Sequence, residues 1–199
     1  MKTNINPQQM VPCTPPAAVE AMRFVGFIKF MLIAACASLV SLSPVRAAGA
    51  DGEYKFVTAS GSATVAGETV ELDDEILQQL GGLQNGKIVI KNNKLQLNRK
   101  AAQKLINQLA EEFGITVETT ITGPTHVPLK KNGKAYTGST TKPLVLEFSA
   151  VFEGQEISGN IKTLFDVKVK GKNLTLNVDV SGTALGGNLS GDITVKCKK

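Results

Sequence analysis

From residue 144 onward, apolar and polar side chains alternate with a period of two, the pattern of strands that have one wet face and one buried face. Leu144, Leu146, Phe148, Ala150 and Phe152 share one parity, while Glu147 and Ser149 interrupt the other. Phe165, Val167 and Val169 alternate with Asp166, Lys168 and Lys170. The same holds for Leu174, Leu176, Val178 and Val180 against Thr175, Asn177 and Asp179, and for Leu189, Ile193 and Val195 against Ser190, Asp192, Thr194 and Lys196. Gly154, Gly171-Lys172 and Gly186-Gly187 fall between the runs, where hairpins turn. The C-terminal half therefore reads as an antiparallel meander.

The N-terminal half mixes strands with helix. Residues 54–59 and 63–72 form a first hairpin pattern, and Asp73 can cap a short helix over 73–80 that ends at Gly81-Gly82. Strands over 87–91 and 94–97 are joined by Asn92-Asn93, a two-residue turn whose members tolerate positive φ. A longer helix is predicted over 99–113. Asn98 is its N-cap, Ala102, Leu105, Ile106, Leu109 and Phe113 recur at spacings of three and four, and Gly114 stops it. Its opposite face carries Lys100, Gln103, Lys104, Gln108 and Glu111, so one stripe alone seeks burial. The expected fold class is α+β: a strongly curled, barrel-like antiparallel sheet of about eight to ten strands, with this helix on its apolar face.

Two in-strand glycines, Gly159 and Gly191, lie in the similar segments GQEISGNI and GGNLSGDI. Glycine there weakens a strand and marks a bend or a close approach. On sequence grounds it also leaves room. Leu146, Phe148, Phe165, Val167, Leu176 and Val178 offer more apolar surface than a helix about 22 Å long can cover, so an apolar guest between helix and sheet is the expected occupant.

Residues 1–47 have a different character. Lys29 precedes the apolar run over 30–42, which is followed by Pro44 and the small-residue exit Val45-Arg46-Ala47, as in a secretory signal peptide. The 29 residues before the run include four prolines, and a start at Met22 gives a leader of ordinary length with Arg23 and Lys29 as its basic part. Cleavage near Ala47 or Ala50 leaves residues 48–199 as one exported domain, periplasmic or secreted. Two alternatives use the same residues. Ile33-Ala34-Ala35-Cys36 resembles a lipobox and would anchor a lipoprotein through Cys36, although only six residues separate Lys29 from that cysteine. An uncleaved leader would itself be an anchor.

The leader also distorts the charge. It holds Lys2, Arg23, Lys29 and Arg46 against Glu20, so 22 basic and 17 acidic residues become 18 and 16, and the net charge falls from +5 to +2. Arg99 is then the lone arginine, where a nucleic-acid surface uses several interleaved with aromatics. Residues 48–199 hold seven aromatics and no tryptophan, too few for the two girdles of an outer-membrane barrel, and no integral membrane span is expected after cleavage. Cys197 is the one remaining cysteine, so no internal disulfide is expected. Lys196, Lys198 and Lys199 would lower its pKa by favouring the thiolate and make an intermolecular disulfide conceivable, although a terminal cysteine with no partner more often does nothing.

No catalytic motif is present, and no enzyme activity, cofactor or metal site is expected. His126 is the single histidine, too few for zinc, and Thr125 beside it supplies neither a general base's acid partner nor an activated nucleophile. Asp73-Asp74-Glu75 is the densest acidic cluster and is explained by capping. The loop over 123–143 concentrates Lys130, Lys131, Lys134 and Lys142 beside Tyr136, a candidate contact for an anionic glycan or lipid head group, while the lysines flanking Asn132-Gly133 equally describe a solvated hairpin tip with Leu129 and Ala135 in its paired strands. The binding residues expected are thus Lys130, Lys131, Lys134 and Tyr136 in that loop, with Phe148 and Phe165 lining the apolar concavity. The expected function is an exported non-enzymatic protein that binds an apolar or lipid-like ligand or a protein partner. A structural, envelope-associated protein without a small ligand is the alternative, and a hydrolase built on His126 is the third class.

Overall fold

The structure is a computed structural model that describes residues 49–72, 87–112, 116–152, 155–184 and 186–199. In chain order the strands are β1 (Gly52–Val65), β2 (Glu68–Leu72), β3 (Lys87–Lys91), β4 (Lys94–Gln96), β5 (Thr116–Thr122), β6 (His126–Pro128), β7 (Lys130–Asn132), β8 (Ala135–Ser139), β9 (Leu144–Phe152), β10 (Gln155–Lys170), β11 (Asn173–Ala184) and β12 (Gly187–Lys198), with α1 (Arg99–Glu112) between β4 and β5. All twelve strands join one antiparallel, mostly β sheet curled into a half-barrel. The α+β, sheet-dominated class expected from the alternation is what the chain adopts. Twelve strands rather than about eight to ten result because the segment 123–143, which looked like a loop, contributes β6, β7 and β8.

Four long strands, β10, β11, β12 and β1, pair in sequence and form the spine. Their outer edges are each shared by two shorter strands. Residues 155–163 of β10 pair with β9 and residues 166–170 with β8, while β1 pairs with β3 through 52–55 and with β2 through 61–65. The first hairpin therefore turns at Ala66-Gly67, both at positive φ, and not near residue 61 as the Gly-Ser-rich sequence there suggested.

At one end the curl brings the sheet back to itself. The segment 126–132 is a strand interrupted at Leu129: β6 pairs with β4 and β7 pairs with β8. Leu129 stands between them, its N–H donating to Asn93 O at 2.8 Å. Gly138 of β8 approaches the other edge so closely that a Cβ there would collide with Pro128 O, and its strand accepts only glycine at that point. The pairings run β10–β11–β12–β1–β3–β4–β6 one way and β10–β8–β7 the other, and the chain itself joins β6 to β7 through Leu129, so this end closes into a ring while β2, β5 and β9 extend the sheet beyond it.

The inner face carries one contiguous apolar cluster. It includes Ile88, Ile90, Leu95 and Val127 near the ring, and Leu146, Phe148, Ile161 and Phe165 farther along, with Ala102, Ile106 and Ala110 of α1 in the same cluster. Asn98 Oδ1 accepts from Ala101 N at 3.0 Å, so the predicted N-cap forms. The side chains of Leu105, Leu109 and Phe113, and the short helix expected over 73–80, lie outside the described residues.

Candidate functional site

Three hairpin turns and the chain's C-terminus meet at the ring end, and each brings lysines. The β3–β4 turn has Asn92 and Asn93 at φ 55° and 53°, as their identity predicted, flanked by Lys91 and Lys94. The β7–β8 turn carries Lys134, with Lys131 one residue before its flanking Asn132, and the β10–β11 turn is flanked by Lys170 and carries Lys172. Lys198 and Lys199 end the chain beside them, with Lys199 N donating to Lys172 O at 2.8 Å. All eight are exposed. Behind these tips, on the outer face, the cross-strand row Lys170–Asn173–Lys198–Lys55–Lys87 adds two more, and the next row adds Lys168 and Lys196.

The acidic groups at this end are committed to structure. Asp51 accepts from Asn92 N and Asn93 N through its two oxygens, at 2.7 Å each, and so ties the start of β1 to the β3–β4 turn. Glu53 meets Lys87 at 2.9 Å. Lys199 is also held: its Nζ donates to Asp51 O at 2.5 Å and lies 5.8 Å from the centre of the Tyr54 ring. Tyr54 itself is buried, donates to Ala50 O at 2.7 Å, and has its pKa raised by burial first and by the Asp51 charge second.

Farther from the ring the sign of the outer face reverses. Asp166 faces Asn177 across β10–β11, and Asp179 faces Asp192 directly across β11–β12. Partial burial, then the hydrogen bond and charge of Asp192, then the charge of Asp166, hold the Asp179 carboxyl above its usual range. Between the basic and acidic zones lies an open polar depression of about 480 Å³ lined by Thr137, Ser139, Asp166, Lys168, Thr175 and Asn177. Among the described residues, no group of three His, Cys, Asp or Glu side chains could hold a metal.

The residues singled out from the sequence divide between two places. Lys130, Lys131, Lys134 and Tyr136 stand together on the β7–β8 hairpin at the basic end, the three lysines exposed and Tyr136 half-buried. Phe148 and Phe165 lie on the inner face at 4% and 1% exposure, enclosed by the chain itself. The room that glycine leaves at 159 is filled from within: a Cβ there would lie 2.5 Å from Phe148 Cζ and from Thr183 O, and one at Gly191 would meet Ser62 O at 2.5 Å. At those two positions the protein's own atoms, not a guest, take the space that glycine leaves.

His126 is half-buried in β6, with its Nδ1 3.3 Å from Thr125 Oγ1. Cys197 sits in a setting that suits the inert reading. It is buried at 3% exposure and its thiol is pushed up to about 12 by that burial, so the adjacent lysines, which point outward, do not make it a thiolate. The lysines at Lys91/Lys94, Lys170/Lys172 and Lys198/Lys199 were missed as a group. Each pair flanks a turn signal or ends the chain, which was visible in the sequence, but only the ring brings them together.

No family model, curated protein or solved structure matches the chain.

Proposed function

We propose that the protein is exported by means of residues 1–47 and acts outside the cytoplasm as a non-enzymatic interaction protein, held to an anionic component of the cell envelope by the lysine-bearing end of its half-barrel. The observation that carries this is the segregation of charge. Eight exposed lysines sit on the turns and terminus of one end, where the nearby carboxylates are already engaged, while Asp166, Asp179 and Asp192 lie farther along the same outer face. Fixed charge of one sign gathered on one end attracts the opposite sign over distances set by screening. The buried apolar cluster, to which Ala102, Ile106 and Ala110 of α1 belong, serves as the core that holds those turns in place.

Fractionation of the source cells tests it. The protein should leave the cytoplasm, sediment with envelope at low salt and be released by about 0.5–1 M salt, as exposed ionic contacts are. A cytosolic protein, or one that salt does not release, would sink the proposal.

A second function, binding of an apolar or lipid-like molecule, has one local observation in its favour. At the β5 edge Val117, Thr119 and Ile121 face inward yet are only half-buried, and Thr119 Oγ1 is shielded from solvent without a hydrogen-bond partner. An amphiphile with a polar head at Thr119 would suit that edge. Saturable displacement of an environment-sensitive dye by fatty acids would support it.

A further inference from the structure

We infer that the envelope component met by the lysine-bearing end is a bilayer surface rich in anionic phospholipid. This rests on the function proposed above and names the partner of the same end. Shape favours a surface. The cations stand on the tips of separate turns around the mouth of a ring, so they are presented together to something broad and flat. A strand-like polyanion is instead held in a groove whose walls track its backbone.

Residue type points the same way. Every cation of this end is a lysine, and Arg99 belongs to α1, where its Nη1 donates to Gly123 O at 3.4 Å. Lysine is a mobile point charge that gains from the summed potential of many phosphates, whereas reading a single phosphate in fixed geometry calls for the guanidinium fork. Aromatic platforms for bases are also missing from the described tips: Tyr54 is buried and the Tyr136 hydroxyl lies against Gly49. Finally, the acidic zone is set back. Asp166 stands four residues from Lys170 along β10, about 13 Å, and Asp192 six residues from Lys198 along β12, about 20 Å, both beyond one screening length of about 8 Å. Screening weakens its repulsion at a membrane that the tips touch, and the end-to-end asymmetry orients the half-barrel with its other end away from the lipid.

Co-sedimentation of residues 48–199, the exported form without its apolar leader, with vesicles separates the outcomes. Two sets are used, phosphatidylcholine alone and phosphatidylcholine with about a third of phosphatidylglycerol, the latter carrying the surface potential that attracts basic segments. Binding should require the anionic lipid and fall with salt. The triple variant Lys131→Gln, Lys134→Gln, Lys172→Gln should bind about 100-fold more weakly, from roughly a fivefold loss per lysine. The equal-charge control Lys100→Gln, Lys104→Gln, Lys162→Gln alters exposed positions on α1 and in the middle of β10 and should stay within about twofold. Matching melting temperatures show that both variants are folded. The inference is overturned by equal losses in the two triples, by equal binding to neutral vesicles, or by binding to soluble polyphosphate without binding to vesicles. In the last case salt-sensitive envelope association could persist and the broader function would stand, whereas absence of that association removes both.

Discussion

Gly159 shows how a single residue decides what fills the half-barrel. In sequence it looks like a gap. In the fold it is the hole into which the Phe148 ring fits, one strand away at the register partner position in β9. Adding one methyl forces that ring or the Thr183 carbonyl to move, and overpacking of this kind costs roughly 1–3 kcal/mol. Gly159→Ala should therefore lower the urea midpoint, and Phe148→Leu in the same chain should return part of the loss, because the two side chains compete for one volume. Strict additivity of the two substitutions would mean that the ring does not occupy this space. The alternation from residue 144 made the inward parity of Phe148 readable, but parity does not say which neighbour lies across a glycine. That needs the register, a property of two strands.

At the scale of elements, α1 was legible because two kinds of signal agreed. Asn98 caps, as Ala101 N records, and Ala102 and Ile106 of the spaced stripe are buried. Ile106→Ala should cost on the order of 2–5 kcal/mol and the exposed Lys104→Ala under about 0.5. Equal denaturation midpoints for the pair would show that the helix is not part of the core. The segment 123–143 was less legible for a physical reason. β6, β7 and β8 are three to five residues long, too short for alternation to stand out, and β7 is exposed throughout, so no apolar face marks it. Its place is fixed by backbone pairing to β4 and β8, with Leu129 as the hinge between them. The lysines of the turns follow the same rule. Each turn was readable alone, and their convergence depends on ring closure, which no local pattern encodes.

For the molecule as a whole, the ring places two titratable groups inside that are harder to ionise there than in water. Cys197, on the inner parity of β12 between outward Lys196 and Lys198, has its thiol moved by burial from an ordinary 9.0 to about 12. The Tyr54 phenol is raised by burial and by Asp51. A group whose folded pKa lies above its unfolded value favours the folded state fully below the unfolded pKa and loses that contribution as pH rises toward the folded one. Stability should thus be level through neutrality and decline from about pH 9. By about pH 10.5 the thiol alone accounts for a loss on the order of 2 kcal/mol, since each unit of difference is about 1.4 kcal/mol. Cys197→Ala removes the thiol at a modest cost in packing and should flatten this decline while leaving the part due to Tyr54, whose hydroxyl still holds Ala50 O. The measurement is the urea midpoint as a function of pH for both proteins. An alkaline decline of equal steepness in the two would show that Cys197 ionises without unfolding, which contradicts its enclosure by the ring.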